Sequence, residues 1–232
     1  MRYWRARHIM KPDQSIYTNN LSLHCHDLGA DRGDVPIFRD MNLHLQAGEV
    51  LQIFGGNGTG KSTLLTILAG LLSPTIGRAS WKSGETSLLV QQVRNQLSFL
   101  GHKLAMKSAL TATENLQFWA DMAGLTVAQS AKAGFPIIEK ALAAMEVADL
   151  AQQKISHMSA GQQKRIALAR VLMLNKPVWL LDEPTANLDA AGQLLVLRLI
   201  EAHVKKGGMV IIATHHPLDV FSTRIRLERA ER

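Results

Sequence analysis

Residues Gly55–Ser62 read Gly-Gly-Asn-Gly-Thr-Gly-Lys-Ser, and the strand-like run Leu51-Gln-Ile-Phe54 leads straight into them. No other stretch restricts the fold so tightly. A strand must end where a helix begins, joined by a turn whose glycines let backbone N–H groups point inward. Such a nest, at the positive end of a helix, is a phosphate-binding surface. Gly55, Gly56, Asn57, Gly58, Thr59 and Gly60 supply the cradle. Lys61 is spaced to reach β- and γ-phosphates, Ser62 to ligate Mg²⁺, and Thr63 extends the motif. Alone, the pattern can also be a glycine-rich turn capping a helix beside a solvated lysine.

A second pattern lies a hundred residues on. Met158–Arg165 reads Met-Ser-Ala-Gly-Gln-Gln-Lys-Arg, and Val178–Thr185, Val-Trp-Leu-Leu-Asp-Glu-Pro-Thr, follows after one helix. The Ser159 hydroxyl and the Gly161 amide at a helix start form another phosphate-binding surface. If that surface and the first loop stand at opposite ends of the fold, it serves a nucleotide held by a partner. Asp182 ends an apolar strand, the place of the second Mg²⁺-holding carboxylate in a phosphate-loop hydrolase. Glu183, one residue on, faces the γ-phosphate and can polarise a water. His215 follows the strand Met209–Ala213, where its imidazole emerges at the carboxyl end of the sheet; His216 beside it diverges and reads as a bystander.

The pattern along the chain is strands alternating with helices, which implies an α/β fold on a parallel sheet. Strands are expected at Leu21–His26, Met41–Leu45, Val50–Phe54, Leu97–Leu100, Val178–Leu181 and Met209–Ala213, with Asp27–Pro36 as a loop. Helices are expected at Ser62–Leu72, Glu114–Met122, Pro136–Met145, Val147–Gln152, Gly161–Leu174 and Ala191–Lys205. The helical stretch from about 104 to 176 interrupts the core as a subdomain, because the core resumes after it. Residues 20–228 then form one domain, preceded by a flexible leader at 1–19.

Composition adds exclusions. A hydrophobic content of 47% with 19% charged residues is globular, not disordered. No apolar run approaches the roughly 20 residues needed to span a bilayer. The single cysteine, Cys25, rules out an intramolecular disulfide and fits a reducing compartment. The net charge of +7 owes much to Arg2, Arg5, Arg7 and Lys11, which precede the first acid, Asp13. That basic segment lacks the apolar centre of a secretory signal and, before Asp13, the serines of a mitochondrial presequence, so it reads as a solvated start; Met10 is an alternative initiator. No aromatic-interleaved basic patch marks the body, so no nucleic-acid partner is expected.

With these motifs in this order, the chain resembles the ATP-binding subunit of an ABC transporter. The resemblance runs from Gly55–Ser62 through Ser159–Gln163 and Asp182-Glu183 to Ala186-Asn187-Leu188-Asp189 and Thr214-His215. It implies a P-loop core with an antiparallel β subdomain and a helical insert. It also implies ATP and Mg²⁺ as cofactors and a head-to-tail homodimer. Ser159, Ala160, Gly161 and Gln162 would then contact the γ-phosphate in trans, and Asp189 would cross the interface. Lys61, Glu183 and His215 would be catalytic, with Mg²⁺ on Ser62 and Asp182. Separate membrane-spanning permease subunits would supply the pathway, with this chain peripheral on the cytoplasmic face of a bacterial inner membrane.

Finer detail is similar to the ATPase subunit of the cytochrome c maturation haem exporter. Phe99-Leu-Gly-His-Lys103 followed by Leu110-Thr-Ala-Thr-Glu-Asn-Leu116, the Ala160 of the signature run, and Thr214-His-His-Pro-Leu218 carry that likeness. Rival readings are an ABC ATPase for another substrate, or one acting outside transport. Two departures stand out. Lys103 occupies the family's loop-glutamine position, where a cation cannot ligate Mg²⁺; either it contacts phosphate directly, or Asp182 and Ser62 hold the ion without it. The adenine-stacking aromatic is missing near residues 24–26, leaving His24 or His26 as weaker platforms or plain strand surface.

Overall fold

The computed structural model describes residues 20–125, 135–228 and 230; the leader at 1–19 lies outside them. Val50–Phe54 (β3), Leu97–Leu100 (β6), Val178–Asp182 (β7), Met209–Thr214 (β8) and Thr223–Arg226 (β9) form a parallel sheet in the order β6-β7-β8-β3-β9. The inner strands are apolar on both faces because both are covered. Leu51, Ile53, Leu180 and Ile211 pack toward Lys61–Leu68 (α1) and a second sheet. Val50, Leu181, Val210 and Ile212 pack toward Ala160–Leu174 (α5) and Ala190–Lys205 (α6).

The second sheet is antiparallel. Leu21–Arg32 (β1) pairs with Val35–Gln46 (β2) on one side and Ile76–Ser83 (β4) on the other, and Thr86–Ser87 (β5) adds a short edge. The loop expected over Asp27–Pro36 is instead strand, turning at Gly33-Asp34. Register shifts between Cys25 and Asp31, with Asp27 at φ 46°, mark bulges, and bulges use the same Gly and Asp residues as turns. Trp81 on β4 donates its indole N–H to the Leu68 carbonyl, which ties this sheet to the end of α1.

Val90–Asn95 (α2) precedes β6, and Ala112–Met122 (α3) and Phe135–Ala144 (α4) precede α5. Thr111 caps α3 and Ser159 caps α5, each in a reciprocal pair with the residue three positions on, Glu114 and Gln162. Each such cap stabilises its helix by about 1 kcal/mol. The helix expected over Val147–Gln152 is a single 3₁₀ turn, Ala148–Leu150. Among the described residues no helix is long and apolar enough to cross a membrane.

Candidate functional site

A cleft of about 430 Å³ opens where the loop before α1 meets the carboxyl ends of β7 and β8 and the turn between β1 and β2. That volume suits a small ligand. On its floor, Gly60 caps α1 at φ 98°, and a Cβ there would come within 2.3 Å of Ile37 Cγ2. Glycine is required both by the left-handed backbone and by the close approach of β2. Lys61 is buried and donates to the carbonyls of Gly55 at 2.8 Å and Gly56 at 2.9 Å. The loop therefore presents an ammonium and a helix N-terminus at one point, which is a site for an anion.

Ser62 Oγ donates to Asp182 Oδ2 at 2.7 Å, joining the start of α1 to the end of β7. The hydroxyl and the buried carboxylate are the hard oxygen donors that Mg²⁺ prefers, so the residues fit that ion. Glu183 follows with φ 49°, held through its N–H on the Ala213 carbonyl and through its own carbonyl, which accepts from Lys164 Nζ at 2.9 Å. Its carboxylate lies 3.5 Å from His215 Nε2, and Glu183 Oε1 is buried without a hydrogen-bond partner. An orphaned carboxylate oxygen facing a polar cleft is a place where a water can sit.

Of the expected residues, the cleft gathers Asn57, Gly58, Gly60, Lys61, Ser62, Thr63, Asp182, Glu183 and His215. Ser159, Ala160, Gly161, Gln162, Lys103 and Asp189 do not line it. Ser159 N donates to Gln162 Oε1 at 2.8 Å, and Gln162 N donates to Ser159 Oγ at 3.2 Å. The serine proton remains available to another acceptor. The Asp189 carboxylate caps α6 through Gly192 N–H at 3.0 Å and accepts from Arg165 at 3.1 Å. Those two donors hold it below the ordinary carboxylate range.

Neither His24 nor His26 lines the cleft, so neither meets a base there. β1 runs on past the bulges, and its end, Arg32, faces the loop beside Val35, Pro36 and Ile37. That end of the cleft is lined by a guanidinium beside aliphatic side chains, with no Phe, Tyr or Trp among the described residues that line it.

Sequence reasoning passed over the residues that brace this site. Gln52, fully buried in β3, accepts from Leu218 N at 2.7 Å and donates to the Leu218 carbonyl and Ser222, pinning the segment after His215. A lone glutamine inside Val50–Phe54 was the available signal. Lys164 is buried, which pulls its pKa down while Asp182 and Glu183 pull it up. Arg170 on α5 donates to Phe99 and Leu104 carbonyls at 3.1 and 2.8 Å, gripping both ends of the segment that carries Lys103.

A phosphate loop on a parallel sheet, an antiparallel sheet beside it and a capped Ser-Ala-Gly-Gln helix define a class, and the ABC transporter family profile matches residues 38–186. The chain belongs to the ABC transporter family. Its curated relatives specify the branch. Over 82% of this chain and 86% of the relative it is 44% identical to the cytochrome c biogenesis ATP-binding export protein CcmA of Rhizobium johnstonii. Identity is 41% to the protein of the same description from Agrobacterium fabrum, over 85% of this chain and 91% of that one. Among solved structures, an ATP-binding protein assigned to an ABC transporter of Pyrococcus furiosus superposes with a TM-score of 0.75 at 26% identity, covering 89% and 97% of the two chains. A dimeric ATP-binding cassette in a post-hydrolysis state with ADP and Pi gives 0.74 at 26%, covering 84% and 88%.

Proposed function

We propose that this chain is the ATP-hydrolysing subunit of an exporter serving cytochrome c maturation, working as a homodimer against membrane-spanning permease subunits at the cytoplasmic face of the bacterial inner membrane. Haem delivery is the coupled event in this reading. The observation that carries it is the 44% identity to a cytochrome c biogenesis export ATPase over 82% of the chain. The cleft supports the chemistry.

Lys61 and the amides of Gly58–Ser62 bind the β- and γ-phosphates and hold them against the start of α1. Glu183 Oε1, which makes no hydrogen bond and has His215 Nε2 at 3.5 Å, accepts a proton from the attacking water and orients its lone pair along the line of displacement. His215 holds the γ-phosphate and that water in register from the far side. Ser62 and Asp182 would hold Mg²⁺, which when bound neutralises charge developing on the phosphate oxygens. Ser159 and Gly161 of a second copy, outside this cleft in their own chain, complete the γ-phosphate shell in trans. Closure of the dimer on ATP and its reopening on product release then drive the permease.

The test is deletion of the gene followed by haem staining of c-type cytochromes, with complementation by the parent and by Glu183→Gln. Loss of stained cytochromes restored only by the parent is expected. Normal cytochromes in the deletion strain would overturn the haem reading and leave an ABC ATPase for another substrate.

A further inference from the structure

The outer face of the antiparallel sheet carries a pair of histidines that the nucleotide cleft does not use. His24 on β1 and His44 on β2 are direct cross-strand partners. Their Nδ1 atoms stand 3.0 Å apart, and their ring centres are 4.3 Å apart with the planes at 77°. A straight N–H···N bond along both ring axes would set the centres roughly 5 Å apart. Two imidazoles bound at about 2.0–2.1 Å and about 90° on one ion would place their nitrogens about 2.9 Å and their centres roughly 4.6 Å apart. The measured pair lies nearer the second geometry.

The outer nitrogens are held as well. His24 Nε2 lies 3.0 Å from Ser22 Oγ, and His44 Nε2 lies 3.0 Å from the Gln46 amide. As placed, the Gln46 amide nitrogen donates to His44 Nε2, His44 donates through Nδ1 to His24 Nδ1, and His24 donates through Nε2 to Ser22 Oγ. Metal binding displaces the Nδ1 proton and turns the Gln46 amide over, so that both rings carry their proton on Nε2. Both Nδ1 lone pairs are then left facing each other. A ligating histidine is oriented in this way, by an outer-shell acceptor on its other nitrogen. Without a metal, one shared proton between the two Nδ1 atoms relieves the repulsion.

We propose that His24 and His44 form a two-histidine chelate for a divalent transition metal, Cu(II) ahead of Ni(II) and Zn(II), on the outer face of the β1–β2 ribbon. Among the described residues no group of three or more His, Cys, Asp or Glu side chains gathers around a point. Water therefore completes the coordination sphere, and the ion binds reversibly. Cu(II) is preferred because cis nitrogen donors suit its tetragonal geometry and because imidazole affinity peaks there. Ligation of one haem iron by both histidines is excluded, since that needs nitrogens about 4 Å apart on opposite sides of the metal. A bound ion clips β1 to β2 far along the sheet from the Arg32 end that faces nucleotide.

The experiment is Cu(II) titration of the full chain without a polyhistidine tag, followed by calorimetry and electron paramagnetic resonance. His24→Gln, His44→Gln and, as a control on the same face, His26→Gln are titrated in parallel. One ion coupled to two imidazole nitrogens is expected in the parent and in H26Q, with a raised melting temperature. H24Q and H44Q should each lose the two-nitrogen spectrum, the thermal shift and roughly tenfold or more in affinity. ATP hydrolysis with Mg²⁺ and without added copper should be equal in all four. Parent-like binding in either H24Q or H44Q overturns the site. So does a parent spectrum with fewer than two imidazole nitrogens, a result that does not depend on any variant folding.

Discussion

Glu183 Oε1 lies 3.5 Å from His215 Nε2, buried and without a hydrogen-bond donor of its own. A buried carboxylate oxygen that makes no hydrogen bond costs free energy, which a water arriving with substrate would relieve. Glu183→Gln keeps the shape and removes the base. ATP binding should persist while turnover falls by about 10²–10⁴-fold, the usual contribution of a general base. Steady-state phosphate release alongside nucleotide binding separates the two, and normal turnover in E183Q would remove Glu183 from the role.

Gly161 sits one residue inside α5, where a Cβ would meet the Asn187 carbonyl oxygen at 2.6 Å. The atom it meets is backbone, so the segment Ala186–Asp189 must move to admit a methyl group. Alanine would favour the helix by up to about 1 kcal/mol, and overpacking would cost about 1–3 kcal/mol. The clash wins. Gly161→Ala should retain ATP binding to the loop at Gly55–Ser62 yet lose most turnover, since it displaces Ser159 and Asp189 together. Equal turnover in G161A would show that the close contact has no functional consequence.

Where the residues themselves carry the signal, sequence and structure agree. Gly55–Ser62, the Ser159-x-x-Gln162 cap and the apolar Val178–Leu181 each combine a motif with the element it requires. The antiparallel sheet was harder to read. Asp27 and Gly29 sit at bulges, and the same residue types mark loops, so a long hairpin resembles two short strands with a gap. β4 and β9 show little apolar alternation, because much of Ile76–Ser83 and Thr223–Arg226 is exposed or half-buried. Gln52, Lys164 and Arg170 were invisible for another reason. Their partners include the backbone carbonyls of Leu218, Glu183, Phe99 and Leu104, which any sequence supplies.

Arg170 gives the clearest case of that hidden bracing. Buried in α5, with its pKa pushed down to about 10 by desolvation, it also stacks 4.6 Å over the Trp119 ring. Arg170→Ala should lower stability by about 1–3 kcal/mol for the carbonyls left without a donor. It should also slacken the segment from Phe99 to Ala105. Lysine cannot reach two separated carbonyls with one planar fork, so Arg170→Lys should rescue little. Chemical denaturation and ATPase assays of both variants provide the check; full rescue by lysine would reduce Arg170 to a charge.

His203 sets a pH dependence. Its ring stacks on Trp179 at 3.8 Å, its Nε2 lies 3.1 Å from the Pro177 carbonyl, and a Cβ on Gly208 would collide with it. Burial, against the opposing pull of the Pro177 carbonyl and helped by Lys206, lowers its pKa to about 4. The unfolded histidine protonates near 6.5. Above that pH both states are neutral and the contribution to stability is complete. As pH falls from 6.5 toward 4 the unfolded chain takes up the proton first, so stability declines across that window, by a few kcal/mol in all. His203→Gln should be less stable at neutral pH through the lost stack. Its stability should also fall less steeply between pH 6.5 and 4 than the parent's, a difference read from urea midpoints at several pH values. Parallel slopes in parent and variant would assign the acid sensitivity to other groups.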